Sequence, residues 1–208
     1  MKTSAWQLLS ARRSLPLAFA LLFAAVPIAH AQKKSTPAPR PVPAQWKEMR
    51  AQWHGIGQKL IDMAEDFPED KYNFKAQKDQ RTFAENLLHV ATEDYRMMAP
   101  IQGGKLGPAL PANFGDLPRF EYKTKADVVR LMKQVVADGD KLLESQGDAG
   151  LQRPVKYPFG NQMVSAWFSW VSAIEHSGEH YGQLVVYYRV NGMVPPASRP
   201  RPRKTSSN

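Results

Sequence analysis

The chain has 208 residues, with 28 Lys and Arg against 19 Asp and Glu, and contains no cysteine. The absence of cysteine excludes disulfides, thiolate metal sites, a cysteine nucleophile and lipid attachment through a thioether, so any metal ligand must be His, Asp or Glu. Ten of the positive charges lie in residues 1–45 and 199–208, where there is no Asp or Glu. Residues 46–198 therefore carry 18 basic and 19 acidic side chains, net −1. A folded nucleic-acid reader needs its positive face on the domain itself, so the charge argues against nucleic acid as a partner.

Residues 1–31 read as a secretory signal peptide. Lys2, Arg12 and Arg13 precede an apolar run from Leu15 to Ala29, and Ala29-His30-Ala31 supplies a small-x-small cleavage pattern. The apolar run spans 15 residues, short of the roughly 20 that cross a bilayer. The expected mature protein is periplasmic or secreted, begins at Gln32 and has no transmembrane segment. Residues 32–45 (QKKSTPAPRPVPAQ) read as a Pro-rich basic linker, and 195–208 (PPASRPRPRKTSSN) as a disordered basic tail. Between them, 46–194 is one domain's length.

Four amphipathic helices account for that domain. Trp46, Met49, Trp53, Ile56, Leu60, Met63 and Phe67 recur at three- and four-residue steps, which places them on one stripe of a helix over 46–66. Thr82-Phe-Ala-Glu85 is a capping box opening a second helix over 82–99. Pro100–Tyr122 is a connection of about 23 residues, much longer than the usual bundle loop. It reads as a crossover, or alternatively as a lid over one end. Thr124-Lys-Ala-Asp127 caps a third helix over 124–146, with Val128, Met132, Val135, Leu142 and Leu143 as its seam and Gly147 as its stop. The fourth starts near Asn161 and runs to Val190, where Asn191-Gly192 and Pro195-Pro196 end it. Strand-like alternation is absent, so the fold class is all-α, a four-helix bundle.

The fourth helix contains EHSGEHYGQLVVYYRVNGMVPP, with His176 and His180 one turn apart on the same face. Near that line fall Ser165, Ser169, Ser172, Gln183 and Tyr187, while most other positions are apolar. No Lys or Arg occurs from Tyr157 to Tyr188. A solvent-facing stripe normally carries such residues, so this line reads as the lining of a polar cavity. An HxxxH pair alone is weak evidence for a metal, and a third ligand must come from another helix. His30 lies in the leader, and His54 lies roughly 140° from its helix's apolar stripe, a surface position. His89 projects with Glu85, Glu93 and Arg96, away from Phe83, Leu87, Val90, Ala91 and Met98. Periodicity alone therefore places it in solvent.

The runs RTFAENLLHVATEDY around His89 and EHSGEHYGQLVVYYRVNGMVPPAS at 175–198 resemble the DinB-like family of four-helix-bundle metalloproteins, across about 46–198. That resemblance implies a divalent-metal site made by His89, His176 and His180, against the projection of His89. It also implies a metal-dependent hydrolase or transferase. Three imidazoles suit zinc first, with nickel, iron or copper as alternatives. Glu93, one turn after His89, reads first as an ion pair with Arg96 and otherwise as a residue that orients a ligand or acts as a base. Glu179 falls off the His line, and Glu85 is accounted for by its cap. Tyr187 either lines the pocket or packs in the core with its hydroxyl satisfied. The expected partner is a small molecule, with a homodimer as one assembly state. Two further classes stand beside the enzyme reading: a non-catalytic metal- or small-ligand-binding module, and an envelope protein docked through its basic ends.

Overall fold

The computed structural model describes residues 43–104 and 122–200. Helices α1 (Gln45–Asp66), α2 (Phe83–Met98), α3 (Lys125–Leu151) and α4 (Ala166–Val190) form a four-helix bundle. Helix α1 packs against α3 and α4, and α2 packs against the same two, so α1 and α2 stand at opposite corners. This arrangement makes α4 the direct neighbour of α2, and His89, His176 and His180 meet across that contact. The expected signal peptide and most of the linker, the central part of the long connection (105–121) and the end of the tail lie outside the described residues. Among the described residues, no helix is long and apolar enough to cross a membrane.

The core follows the apolar stripes. On α1, Met49, Trp53, Leu60 and Met63 are buried, as is Phe67 just beyond its end. Burying each large apolar side chain stabilises the fold by roughly 1.5–3 kcal/mol. Trp53 anchors the α1–α3–α4 junction: its indole N–H donates to the Val136 carbonyl at 3.0 Å, and its ring meets Trp170 edge-on at 5.3 Å. Gly139 on α3 makes room for that indole, since a Cβ there would come within 2.4 Å of the ring. Phe67 stacks on Phe83 with centroids 3.9 Å apart, tying the end of α1 to the start of α2.

Helix ends obey local chemistry. Thr82 and Glu85 form the expected box, with Thr82 N–H donating to Glu85 Oε2 at 2.7 Å and Glu85 N–H to Thr82 Oγ1 at 3.1 Å. These bonds satisfy amides that the first helical turn leaves without intrahelical partners. At α3, the Asp127 carboxylate accepts Thr124 N–H at 3.0 Å. At the far end of α4, the Asn191 amide donates to the Tyr187 carbonyl at 2.8 Å.

Three boundaries differ from the sequence reading. The fourth helix starts at Ala166, not near Asn161, and its cap is Ser165, whose hydroxyl accepts Phe168 N–H at 3.3 Å. Residues before it form a short antiparallel hairpin, β1 (Pro154–Lys156) with β2 (Met163–Ser165), in which Val155 pairs with Val164. Gly147 does break the third helix, at φ +56°, a conformation that costs glycine nothing, but helical turns resume and continue to Leu151. The folded unit also runs past Val194. Pro195 is buried, Pro196–Ser198 form a 3-10 turn, and Arg199 grips Asp66 through two bonds, of 2.8 and 2.5 Å. For residues 195–199 the expectation of a disordered tail is thus corrected, since this turn packs against α1; 201–208 lie outside the described residues.

Candidate metal centre

Helix α2 is buried on nearly every side, polar residues included: Asn86, Thr92, Glu93 and Asp94 are as enclosed as Leu87 and Val90. Its polar stripe is therefore covered instead of solvated. His89 sits on that stripe, with 23% of its side chain exposed, and faces α4. Across the contact stand His176, half-buried, and His180, buried, which are one turn apart and so share a face.

The three rings converge. His89 Nε2 lies 3.3 Å from His176 Nε2. Ring centroids are 5.1 Å apart for His89–His176, 4.8 Å for His89–His180 and 4.6 Å for His176–His180. One nitrogen from each ring falls within 4.8 Å of the other two, a group that could hold a metal ion. The periodicity-based placement of His89 in solvent is corrected here. His54 stands apart and exposed, with its Nδ1 2.8 Å from Asp140 Oδ2.

Burial sets the charge of the cluster. Desolvation first, then the nearby Arg81 and the neighbouring imidazoles, push His89 down to about 3. Burial, then His176 and Arg81, bring His180 to about 4. His176 is lowered mainly by burial as well, against the opposing pull of Glu179. All three are neutral at pH 7, the form in which imidazole offers a lone pair to a metal. His176 Nδ1 is buried with no hydrogen-bond partner among the described residues. Three neutral imidazoles in tight convergence, with no cation among the ligating groups, fit a divalent ion of the zinc type.

Two of the three histidines, His89 and His176, line an open pocket of about 450 Å³, with His180 behind them. Met97 on α2 and Tyr157 and Phe159 of the hairpin turn give it an apolar side, and Glu93, Glu175, Glu179 and Ser172 give it a polar one. Glu179, set aside on its projection, thus borders the pocket, as does Glu175, which the sequence reading did not single out. Glu93 makes the ion pair with Arg96 that was its first reading. Its Oε1 lies 3.4 Å from Arg96 and 4.0 Å from His89 Nδ1. Burial raises its pKa against the pull of Arg96 and Arg81.

Tyr187 does not border the pocket. It is buried behind the cluster, where its hydroxyl donates to the Arg81 carbonyl and receives a hydrogen bond from Asn86 Nδ2 at 3.2 Å. Asn86 Oδ1 in turn lies 2.8 Å from His180 Nδ1. Sequence reasoning missed Asn86. Its position three residues before His89, on the same face of α2, was the available signal. Asp94 is also enclosed, and accepts the Ser177 hydroxyl at 3.1 and 3.2 Å. Burial drives its carboxyl well above the usual range, against the opposing hydrogen bond from Ser177.

The geometry agrees with comparisons to known proteins. The family model described as the DinB superfamily matches residues 52–184. A DinB-like protein from Bacillus cereus ATCC 10987 has a similar structure at 16% identity, covering 72% of this chain and 95% of its own, with a TM-score of 0.60. YfiT from Bacillus subtilis, described as "a probable metal-dependent hydrolase with an unusual four-helix bundle topology", aligns at 13% identity over 76% of this chain and 94% of its own, with a TM-score of 0.55. At these identities the likeness is one of fold. No curated protein matches the chain significantly. The family match covers more than half of the chain, including all of α2 and most of α4. The chain belongs to the DinB superfamily.

Proposed function

We propose that this protein is an exported metal-dependent hydrolase or transferase acting on a small molecule, with His89, His176 and His180 as the ligands of one divalent ion. The convergence of three neutral imidazoles, two of them lining an open pocket, carries the reading. Zinc is the first expectation, with nickel and iron as alternatives. Three protein ligands leave coordination positions free, as catalytic sites do and closed structural sites do not. A bound ion supplies Lewis acidity at the pocket wall.

The chain's own residues supply the rest. Glu93 is the proton-handling group: it borders the pocket, its pKa is raised by burial, and its Oε2 is buried with no hydrogen-bond partner among the described residues. A carboxyl raised toward neutral pH is suited to general acid–base work. Tyr157, Phe159 and Met97 offer an apolar surface to the body of a substrate. Export rests on the leader at 1–31 and on the basic, Pro-rich segment after it.

The test is turnover by purified protein against panels of esters, amides, phosphoesters and thiol-transfer pairs, before and after metal removal by a chelator. The expected result is activity lost on chelation, restored by the ion, and reduced on the order of 100-fold or more in Glu93→Gln. Activity unaffected by chelation would sink the reading. Stoichiometric metal with no turnover on any panel would replace it with the non-catalytic binding module.

A further inference from the structure

The hydrogen bonds behind the histidines have a direction that can be worked out from their last acceptor. The Arg81 carbonyl can only accept, so the Tyr187 hydroxyl spends its single proton there. The hydroxyl oxygen is then an acceptor, and the group 3.2 Å from it must be the donating Nδ2 of Asn86. That turns Asn86 Oδ1 toward His180 at 2.8 Å, and an amide oxygen can only accept. His180 Nδ1 must therefore carry the proton, leaving the lone pair on Nε2. All three side chains in this relay are buried, with exposures of 5% for His180, 2% for Asn86 and 1% for Tyr187, so water does not compete for these bonds.

We propose that Asn86 is a positioning residue, backed by Tyr187, that locks His180 in its Nδ1–H tautomer and aims Nε2 into the cluster. The inference rests on the three-histidine metal site proposed above and adds the means by which one of its ligands is set before the ion arrives. The other two histidines have no equivalent device. His89 Nδ1 is 4.0 Å from Glu93, too far for a direct hydrogen bond, and His176 Nδ1 has no partner among the described residues. His180 is accordingly the preorganised ligand of the three. Groups that orient a ligand in this way typically change metal affinity by on the order of 10- to 100-fold when removed.

Two measurements test it. In long-range 1H–15N spectra of the metal-free wild type at pH 7, His180 should show a protonated Nδ1 and a pyridine-type Nε2. A protonated Nε2 on His180 would overturn the proposal without any variant. Zinc affinity, measured by competition with a chromogenic chelator, should fall on the order of 10- to 100-fold in Asn86→Ala. Asn86→Ala should also release the tautomer, an effect that loss of packing alone would not produce. Wild-type affinity and an unchanged tautomer in Asn86→Ala would defeat this inference alone. Wild-type zinc binding by His180→Ala would instead defeat the three-histidine site beneath it.

Discussion

The Nε2 atoms of His89 and His176 face each other at 3.3 Å across the contact between α2 and α4, although the two residues are 87 positions apart in the chain. Two ring nitrogens at that distance, with a third ring beside them, form a group that could hold a metal ion and that neither helix makes alone. Burial keeps the rings neutral, and the α2–α4 packing that buries them also sets their spacing. Fold and site are therefore coupled, and acid should act on both.

Acid should destabilise the metal-free protein through these histidines. Their folded pKa values lie below the ordinary 6.5, at about 3 for His89 and about 4 for His180, with His176 lowered too. Below about 6.5 the unfolded chain takes up protons that the folded chain refuses, so stability rises with pH through this window and is lost as pH falls from about 6.5 toward 3–4. Glu93 and Asp94, raised by burial, act in the opposite sense. The comparison must therefore be differential. Urea unfolding at pH 7.5 and 4.5 should show a larger loss for wild type than for a variant with all three histidines replaced by Gln. Equal losses would mean that the rings are not buried neutral.

The α1–α3 contact makes a separate demand on sequence. Gly139→Ala would place a methyl group 2.4 Å from the Trp53 indole, which is held in place by the Val136 carbonyl and by Trp170. Forcing extra volume into a packed core costs typically 1–3 kcal/mol, so the unfolding free energy from urea titration should fall by about that amount. A glycine inside a helix otherwise gains from the change to alanine, by roughly 0.5–1 kcal/mol. A rise in stability would show that the indole yields.

How far the sequence could be read depended on how many sides of each helix are covered. Helix α1 buries one stripe, and Trp53, Leu60 and Met63 could be assigned to the core from spacing alone. Helix α2 buries both its stripes, so a moment that marks the apolar side places the polar side wrongly in water; His89 was recovered through family resemblance. Glu179 failed for a related reason, because a pocket rim spans more of the α4 surface than a single projected line. The hairpin escaped notice because its strands are three residues each, too short for alternation to register. Trp167, Phe168, Val186 and Val190 on α4 are exposed, so hydrophobicity alone did not mark the buried side of that helix either.

Export has its own check. Material recovered from the periplasm or the medium should begin at Gln32 on N-terminal sequencing, following cleavage after Ala31. Recovery of the protein from those fractions with Met1 retained would contradict a cleaved leader, and absence of the protein from them would contradict export.

The most direct measurement of the central claim is metal content by plasma mass spectrometry on wild type, His176→Ala and His54→Ala, each purified in parallel. Wild type should carry about one divalent ion per chain, His176→Ala should fall to near background, and His54→Ala should be unchanged, since His54 pairs with Asp140 away from the cluster. Wild type should also lose stability when the ion is stripped, because an ion that binds only the folded state adds its binding free energy to folding. Equal metal in wild type and His176→Ala, or a loss in His54→Ala, would contradict the assignment of the ion to His89, His176 and His180.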